Sequence, residues 1–351
     1  MNTIDHVPVI ARSVFASEHV FDHLVTQIED DDCGVISAPS GFLVLSTDLM
    51  NRQPALMTLG LPDRLYNYGY LMASANLSDL YGSGGKPIAM LVGLMAPSSV
   101  KESEIRELLQ GVQDCCSVNK VPVVGGDTKR SDHLQGYAVG IGWAESKDSV
   151  FTRNGARVGQ DVFLSGPVGD FNAAVFALTT GDFPSEWTQE IQCAIARPQL
   201  RRELSTQLSA NRLATGGIDI SDGLGMDVRR LAKQSKVSIT IDAEAIPVGG
   251  LARKVAHHYK LDPLALVFAT GGDWQFGFTC NQSYSDACSD LGGIRVGYAS
   301  EGHDCWLNLG ESAIPLPTFG HSDDRNLDFG EEISIGIEQF MTLIGNDCGR
   351  A

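Results

Sequence analysis

Five short acidic clusters carry the residues most suited to chemistry: Asp30-Asp31-Asp32, Ser46-Thr47-Asp48, Asn76-Leu77-Ser78-Asp79, Gly125-Gly126-Asp127-Thr128 and Asp219-Ile220-Ser221-Asp222-Gly223. Each falls where a predicted strand or helix ends. Carboxylates delivered to one place from separate element ends are what a Mg²⁺-nucleotide site needs, because Mg²⁺ takes oxygen ligands and is shared between one or two carboxylates and the substrate phosphates. Taken singly, each cluster is an ordinary cap or Asx turn. Asp79 reads equally well as a helix-surface acid, and Ser221-Asp222-Gly223 as an N-cap. The weight lies in the recurrence, with Ser or Thr set beside Asp in four of the five clusters.

Other site chemistries find less support. There is no G-x-x-x-x-G-K-[ST] and no well-placed G-x-G-x-x-G, which removes a P-loop and a dinucleotide fold. Gly166-Pro-Val-Gly169-Asp170 follows a strand and precedes a helix, so its backbone N–H groups could meet an anion, although a tight turn explains it as well. The eight histidines form no triad or metal spacing. The eight cysteines are scattered, with Cys115-Cys116 adjacent and no C-x-x-C, as expected of reduced thiols in a cytoplasmic protein.

The totals agree with a soluble globular protein. The 351 residues suffice for two cores, and the 43% hydrophobic and 20% charged residues are ordinary proportions. A net charge of −17 excludes a nucleic-acid surface, which needs a basic footprint. The N-terminus lacks the basic and apolar regions of a secretory signal, and no apolar run approaches the roughly 20 residues of a membrane span.

These acids need elements to position them. The strand Phe42 to Asp48 delivers Ser46-Thr47-Asp48, and a helix over Arg64 to Leu80 delivers Asp79. A short strand Val121 to Val124 opens onto Gly125-Gly126-Asp127, and Gly216 to Gly223 opens a helix running to Ser235. Further strands are predicted at Cys33 to Ile36, Ile88 to Met95, Tyr137 to Trp143, Val162 to Ser165, Val237 to Ile241, Ala265 to Ala269, Gln275 to Thr279 and Ile294 to Tyr298. Helices are predicted at Val14 to Gln27, from a cap at Ser98 or Ser99 to Val118, at Asn172 to Leu178 and at Pro198 to Ala210. Strands and helices alternate without a regular βαβ period, which favours an α+β chain (an α/β sandwich) over a Rossmann sheet. A change of character near Thr152 to Gly159 divides it into residues 1–150 and 151–351.

The order of these clusters, with Thr152-Arg153-Asn154-Gly155-Ala156 among them, resembles thiamine-monophosphate kinase. More broadly it resembles the superfamily shared with aminoimidazole ribonucleotide synthetase and selenophosphate synthetase, over about residues 28 to 280. The resemblance implies an N-terminal domain that dimerises through its sheet and a C-terminal α+β domain. ATP and several Mg²⁺ ions would lie in the cleft between them. It implies Asp32, Ser46, Thr47, Asp48, Asp79, Asp127, Asp219 and Asp222 as Mg²⁺ ligands, and Gly126, Asp127, Arg153 and Ser221 as nucleotide contacts. Asp48, Asp127, Arg153 and Asp222 would carry the transfer, with Arg153 forking onto phosphate.

The departures concern the acceptor. Where the family has a histidine that touches thiamine phosphate, Leu49 to Thr58 has none, and Asp30 replaces a glycine. A usual lysine is missing near Leu71, and the Gly-Gly-Glu-Asp-Tyr-Glu-Leu block is shortened to Gly271-Gly-Asp-Trp-Gln-Phe276. The expectation is an ATP- and Mg²⁺-dependent phosphotransferase with altered acceptor specificity: a homodimer acting on a small, phosphorylated or unphosphorylated molecule. The resemblance leaves open an amide-activating ligase like aminoimidazole ribonucleotide synthetase, and a nucleotide-binding protein without kinase activity.

Overall fold

A computed structural model describes residues 24–26, 31–49, 60–319 and 329–347. Most of the helix expected over Val14 to Gln27, Asp30, and the stretch Met50 to Thr58 lie outside them.

The first sheet comprises β1 (Gly34–Ala38), β2 (Gly41–Leu49), β3 (Lys86–Ala96), β4 (Val123–Arg130) and β5 (Gln135–Ala144), in the order β1-β2-β5-β3-β4. Its pairs are antiparallel except β3–β4. Strand alternation puts Val44, Ser46 and Asp48 on one face and Leu43, Leu45 and Thr47 on the other. On the inner face β5 carries Gly136, Ala138, Gly140 and Gly142, all buried. This low surface lets helix α1 (Arg64–Gly82) lie close, so that a Cβ at Gly140 would stand 3.0 Å from Leu80. α1 is buried along most of its length, and helix α2 (Glu102–Val118) packs beside it.

The second sheet runs β12-β11-β8-β10-β6-β9-β7. Its strands are β6 (Gln160–Leu164), β7 (Ala214–Ile220), β8 (Ser238–Asp242), β9 (Gln275–Asn281), β10 (Ile294–Ser300), β11 (Cys305–Asn308) and β12 (Ala313–Pro315). Helices α3 (Asp170–Thr180), α4 (Thr188–Ala196), α5 (Arg202–Ala210), α6 (Leu224–Ser235), α7 (Gly250–Tyr259), α8 (Pro263–Val267), α9 (Ser285–Asp290) and α10 (Phe329–Asp347) complete the chain. Mixed sheets with unevenly placed helices agree with the α+β expectation.

Edge strand β7 seats against the C-terminal end of α1. The approach is close: a Cβ at Gly217 would lie 2.2 Å from the Gly82 carbonyl oxygen. The last turn of α1 and the end of β7 therefore meet, and each carries a predicted acid.

Several expectations are corrected. Ala265 to Ala269, read as a strand, belongs largely to α8; the Asp262 carboxylate accepts from Leu264 N at 2.8 Å and Pro263 opens the helix. A five-residue apolar run cannot be told from a buried helix turn by periodicity alone. Gly125-Gly126-Asp127 sits inside β4 rather than after it. Neither Ser98 nor Ser99 caps α2; Lys101 precedes it, and its N–H donates to Glu104 at 2.8 Å. Pro198 to Arg201 is not helical, and α5 starts at Arg202. No helix among the described residues is long and apolar enough to cross a membrane, and the cysteines described are all free thiols.

Candidate active site

At the junction of α1 and β7, carboxylate oxygens of Asp32, Asp79 and Asp219 lie within 4.8 Å of one another. Asp32 stands just before β1, Asp79 in the last turn of α1, and Asp219 near the end of β7. The Ser46 hydroxyl on β2 donates to Asp79 Oδ2 at 2.6 Å, which fixes the carboxylate over the sheet's inner face. Asp219 N donates to Asp32 Oδ2 at 3.4 Å, and Ser221 Oγ to Asp219 Oδ1 at 3.2 Å. Asp219 Oδ2 is buried with no hydrogen-bond partner, an acceptor left open toward the group.

Arg153 supplies the nearest cation. Its guanidinium pairs with Asp32, and its backbone N–H donates to Asp31 Oδ2 at 3.1 Å. Burial raises the Asp32 carboxyl and Arg153 pulls it back. Burial and then the neighbouring Asp32 push both Asp79 and Asp219 far above the usual carboxylate range. Asp31 is pushed up to about 7, by burial and then by Asp32.

A second arm adjoins this group. Asp48 shares the inner face with Ser46, and burial, then Asp222 and Asp32, push it up to about 6. Asp222 follows β7 and pairs with Arg230, which also holds Asp227 at 2.9 Å. Asp227 Oδ2 accepts from Asp222 N at 3.0 Å, and burial followed by Asp222 raises its carboxyl to about 8. Asp227 and Arg230 were missed in the sequence. Their signal was spacing: Asp227 lies in the first turn of α6, and Arg230 is one turn further along the same face.

Of the predicted residues, Asp32, Ser46, Asp48, Asp79, Arg153, Asp219, Ser221 and Asp222 thus come together. Thr47, Gly126 and Asp127 do not join them within this chain. Thr47 points to the outer face and donates to the Ala138 carbonyl at 3.1 Å. The register Asp48–Ala138–Val92–Gly126 puts Asp127 three strand spacings, roughly 14 Å, across the sheet on the opposite face. There Asp127 is exposed on edge strand β4, 3.5 Å from Lys129 Nζ. Gly126 abuts β3, where a Cβ would stand 1.7 Å from the Val92 carbonyl oxygen. At the Gly166 to Asp170 turn the helix end is already capped within the chain: Asp273 accepts from Gly169 N at 2.8 Å and Phe171 N at 3.2 Å.

Seven aspartates (31, 32, 48, 79, 219, 222 and 227) face two arginines, an arrangement short of positive charge. A hard divalent cation fits it. The donors are all oxygens, the three central ones are close enough to share an ion, and one buried oxygen has no other partner. Such a group can hold metal-bound phosphates in the cleft between the two sheets.

The family described as AIR synthase related protein, N-terminal domain, matches residues 30–143. The thiamine-monophosphate kinase of Aquifex aeolicus (strain VF5) is 28% identical over 287 residues, covering 81% of this chain and 90% of that one. The Pyrococcus abyssi enzyme is 26% identical over 292 residues, covering 83% and 88%. The solved structure of the Aquifex aeolicus kinase superimposes with a TM-score of 0.73 at 25% identity, over 88% of this chain and 98% of that one. A structure of AaThiL complexed with AMPPCP and TMP gives 0.76 at 24%, over 89% and 98%. The hydrogenase maturation protein HypE in complex with ATP shares the fold at 17% identity, with a TM-score of 0.65 over 85% and 88%. The chain thus resembles thiamine-monophosphate kinases in sequence over most of its length and shares their fold, and residues 30–143 match the AIR synthase related N-terminal domain.

Proposed function

We propose that the chain is an ATP-dependent, Mg²⁺-requiring phosphotransferase that moves the γ-phosphoryl group of ATP to a small acceptor other than thiamine phosphate. The observation that carries this reading is the convergence of Asp32, Asp79 and Asp219 beside the Asp48–Asp222 arm. Asp32, Ser46, Asp48, Asp79, Asp219 and Asp222 would hold the ions. When bound, Mg²⁺ neutralises phosphate oxygens and aligns the triphosphate. Arg153, already inside the acid group, would steady the transferring or leaving phosphates. Ser221 would contact the nucleotide. No general base is needed for a loose transition state.

Residues 1–150 would form the metal-binding and dimerising domain, and 151–351 the domain that completes the cleft, in a cytoplasmic homodimer. Leu43, Leu45, Val139, Ile141 and Trp143 are partly accessible on the outer face of the first sheet, a surface suited to a second copy. Thr47 and Asp127 share that face, so they would reach the nucleotide through the dimer, with Gly126 beside them. Altered acceptor use is supported by the missing histidine in residues 49–58 and by the Gly271 to Phe276 block, whose Asp273 is spent on capping α3.

The test is ATP turnover with Mg²⁺ across an acceptor panel that includes thiamine phosphate. Nucleotide binding with turnover on another acceptor supports the reading. Efficient turnover of thiamine phosphate removes the altered specificity, and failure to bind ATP at millimolar Mg²⁺ removes the kinase.

A further inference from the structure

A cavity of about 320 Å³ opens between α3, α4, the start of α7 and the segment 198–201. Its charges are unevenly satisfied. Each acid in the wall is already engaged. Asp170 Oδ1 accepts from Ala252 N at 2.9 Å, Asp273 caps α3, and Glu190 binds Lys254 Nζ at 2.6 and 2.8 Å.

The two arginines in the wall are not. Arg201 donates Nε to Gln275 Oε1 at 3.1 Å and meets no carboxylate among the described residues. Arg197 donates Nε to Asn67 Oδ1 at 2.9 Å and stacks over the Tyr66 ring at 4.8 Å. The nearest acid to it, exposed Asp63, is 4.0 Å away. Burial pushes the Arg201 guanidinium below its ordinary value, as it does for a cation drawn from water without a counter-ion. Two half-buried forks with open donors in one small cavity are a site built for an anion.

The cavity adjoins the acid group through one segment. A Cβ at Gly271 would stand 2.0 Å from the Ser221 carbonyl oxygen and 2.5 Å from the Asp222 backbone. One at Gly272 would stand 2.7 Å from the ring of Phe171, which lines the cavity. Gln275 pairs across the strands with Ile220, two residues before Asp222. Cross-strand and along-chain spacings then place the Gln275 and Asp222 backbones within about 13 Å. Arg201 in turn bonds the Gln275 side chain, so a molecule spanning roughly that distance would link the Asp222 end of the site to the cavity.

We infer that this cavity receives the far end of the acceptor, and that the acceptor carries there an anionic group, a carboxylate or a phosphate, held by Arg201 and Arg197. The link to an acceptor rests on the phosphotransferase reading; the anion site does not. The far end of thiamine phosphate is an uncharged aminopyrimidine, which would bring no anion to the two arginines, and this gives the altered specificity a physical cause.

The test uses the full chain without Mg²⁺ or nucleotide, where the excess of carboxylates in the acid group repels anions. Succinate and inorganic phosphate are titrated by calorimetry, and the rate at which iodoacetamide alkylates Cys193, an exposed thiol of the cavity wall, is followed by peptide mass mapping. At least one probe binds and slows Cys193 alkylation; which one tells carboxylate from phosphate. Arg201→Gln weakens that binding about tenfold or more, while ATP·Mg²⁺ binding stays unchanged. If Arg201→Gln fails to fold by circular dichroism, Arg197→Gln must show the same loss. No probe binding, or equal binding by the folded variants, overturns the inference and leaves the kinase reading standing. Absence of ATP·Mg²⁺ binding with the anion site intact removes the kinase reading alone.

Discussion

Asp79 holds the most exacting place in the acid group, because its carboxylate must serve Ser46 on the sheet and stay within reach of Asp32 and Asp219. Asp79→Asn should lower ATP turnover by on the order of a hundredfold or more with an unchanged far-ultraviolet spectrum. Asp127→Asn should do likewise, and its exposure means folding will not suffer; full activity would take Asp127 out of the site. The raised carboxyls also make a thermodynamic prediction. Asp48 and Asp31 titrate near 6 and 7 in the folded protein, above the unfolded carboxylate value of about 4. Between those values the native state binds more protons than the unfolded one, so metal-free stability is greatest in acid and falls as pH rises through 6 and 7. The melting temperature of metal-free protein should drop between pH 5 and pH 8, and Mg²⁺ should restore most of the loss at pH 8. A flat profile would mean that these acids are not buried together. The residue types of this site were legible in the sequence because oxygen ligands recur beside Ser and Thr. The direction of each side chain was not. Thr47 is flanked by two site residues, yet strand alternation sends it to the other face.

At the scale of elements, the acid that seemed a remnant of an acceptor motif proves to be a helix cap. Asp273 satisfies two N–H groups at the start of α3 from 104 and 102 residues away in sequence, a partnership that no local pattern announces. Burial pushes its carboxyl up to about 6, against those bonds. Asp273→Ala would leave two buried donors bare and should cost about 1–3 kcal/mol, seen as a lower urea midpoint at unchanged slope. Long amphipathic elements such as α2 and strongly apolar strands such as β5 announced themselves by period. α8 did not, since five apolar residues fit a strand as well as a helix turn. β4 was cut short because its glycines read as a loop, whereas they sit in the ladder against β3.

At the scale of the molecule, the outer face of the first sheet sets apolar residues beside Thr47 and Asp127. If two copies meet there, Ile141→Lys should convert a dimer into a monomer on size-exclusion chromatography and cut turnover together with it; a monomeric wild type would end the dimer reading. The acid group itself is divided between the two sheets, and what keeps its parts in register is the contact of Gly217 with Gly82, which leaves no room for a side chain. Even a methyl group at position 217 would act as a wedge, prising Asp219 away from Asp79 and silencing the enzyme without adding a charge or removing a ligand. Inactivating lesions should therefore accumulate at an uncharged hinge-line that no inspection of the chemistry would single out.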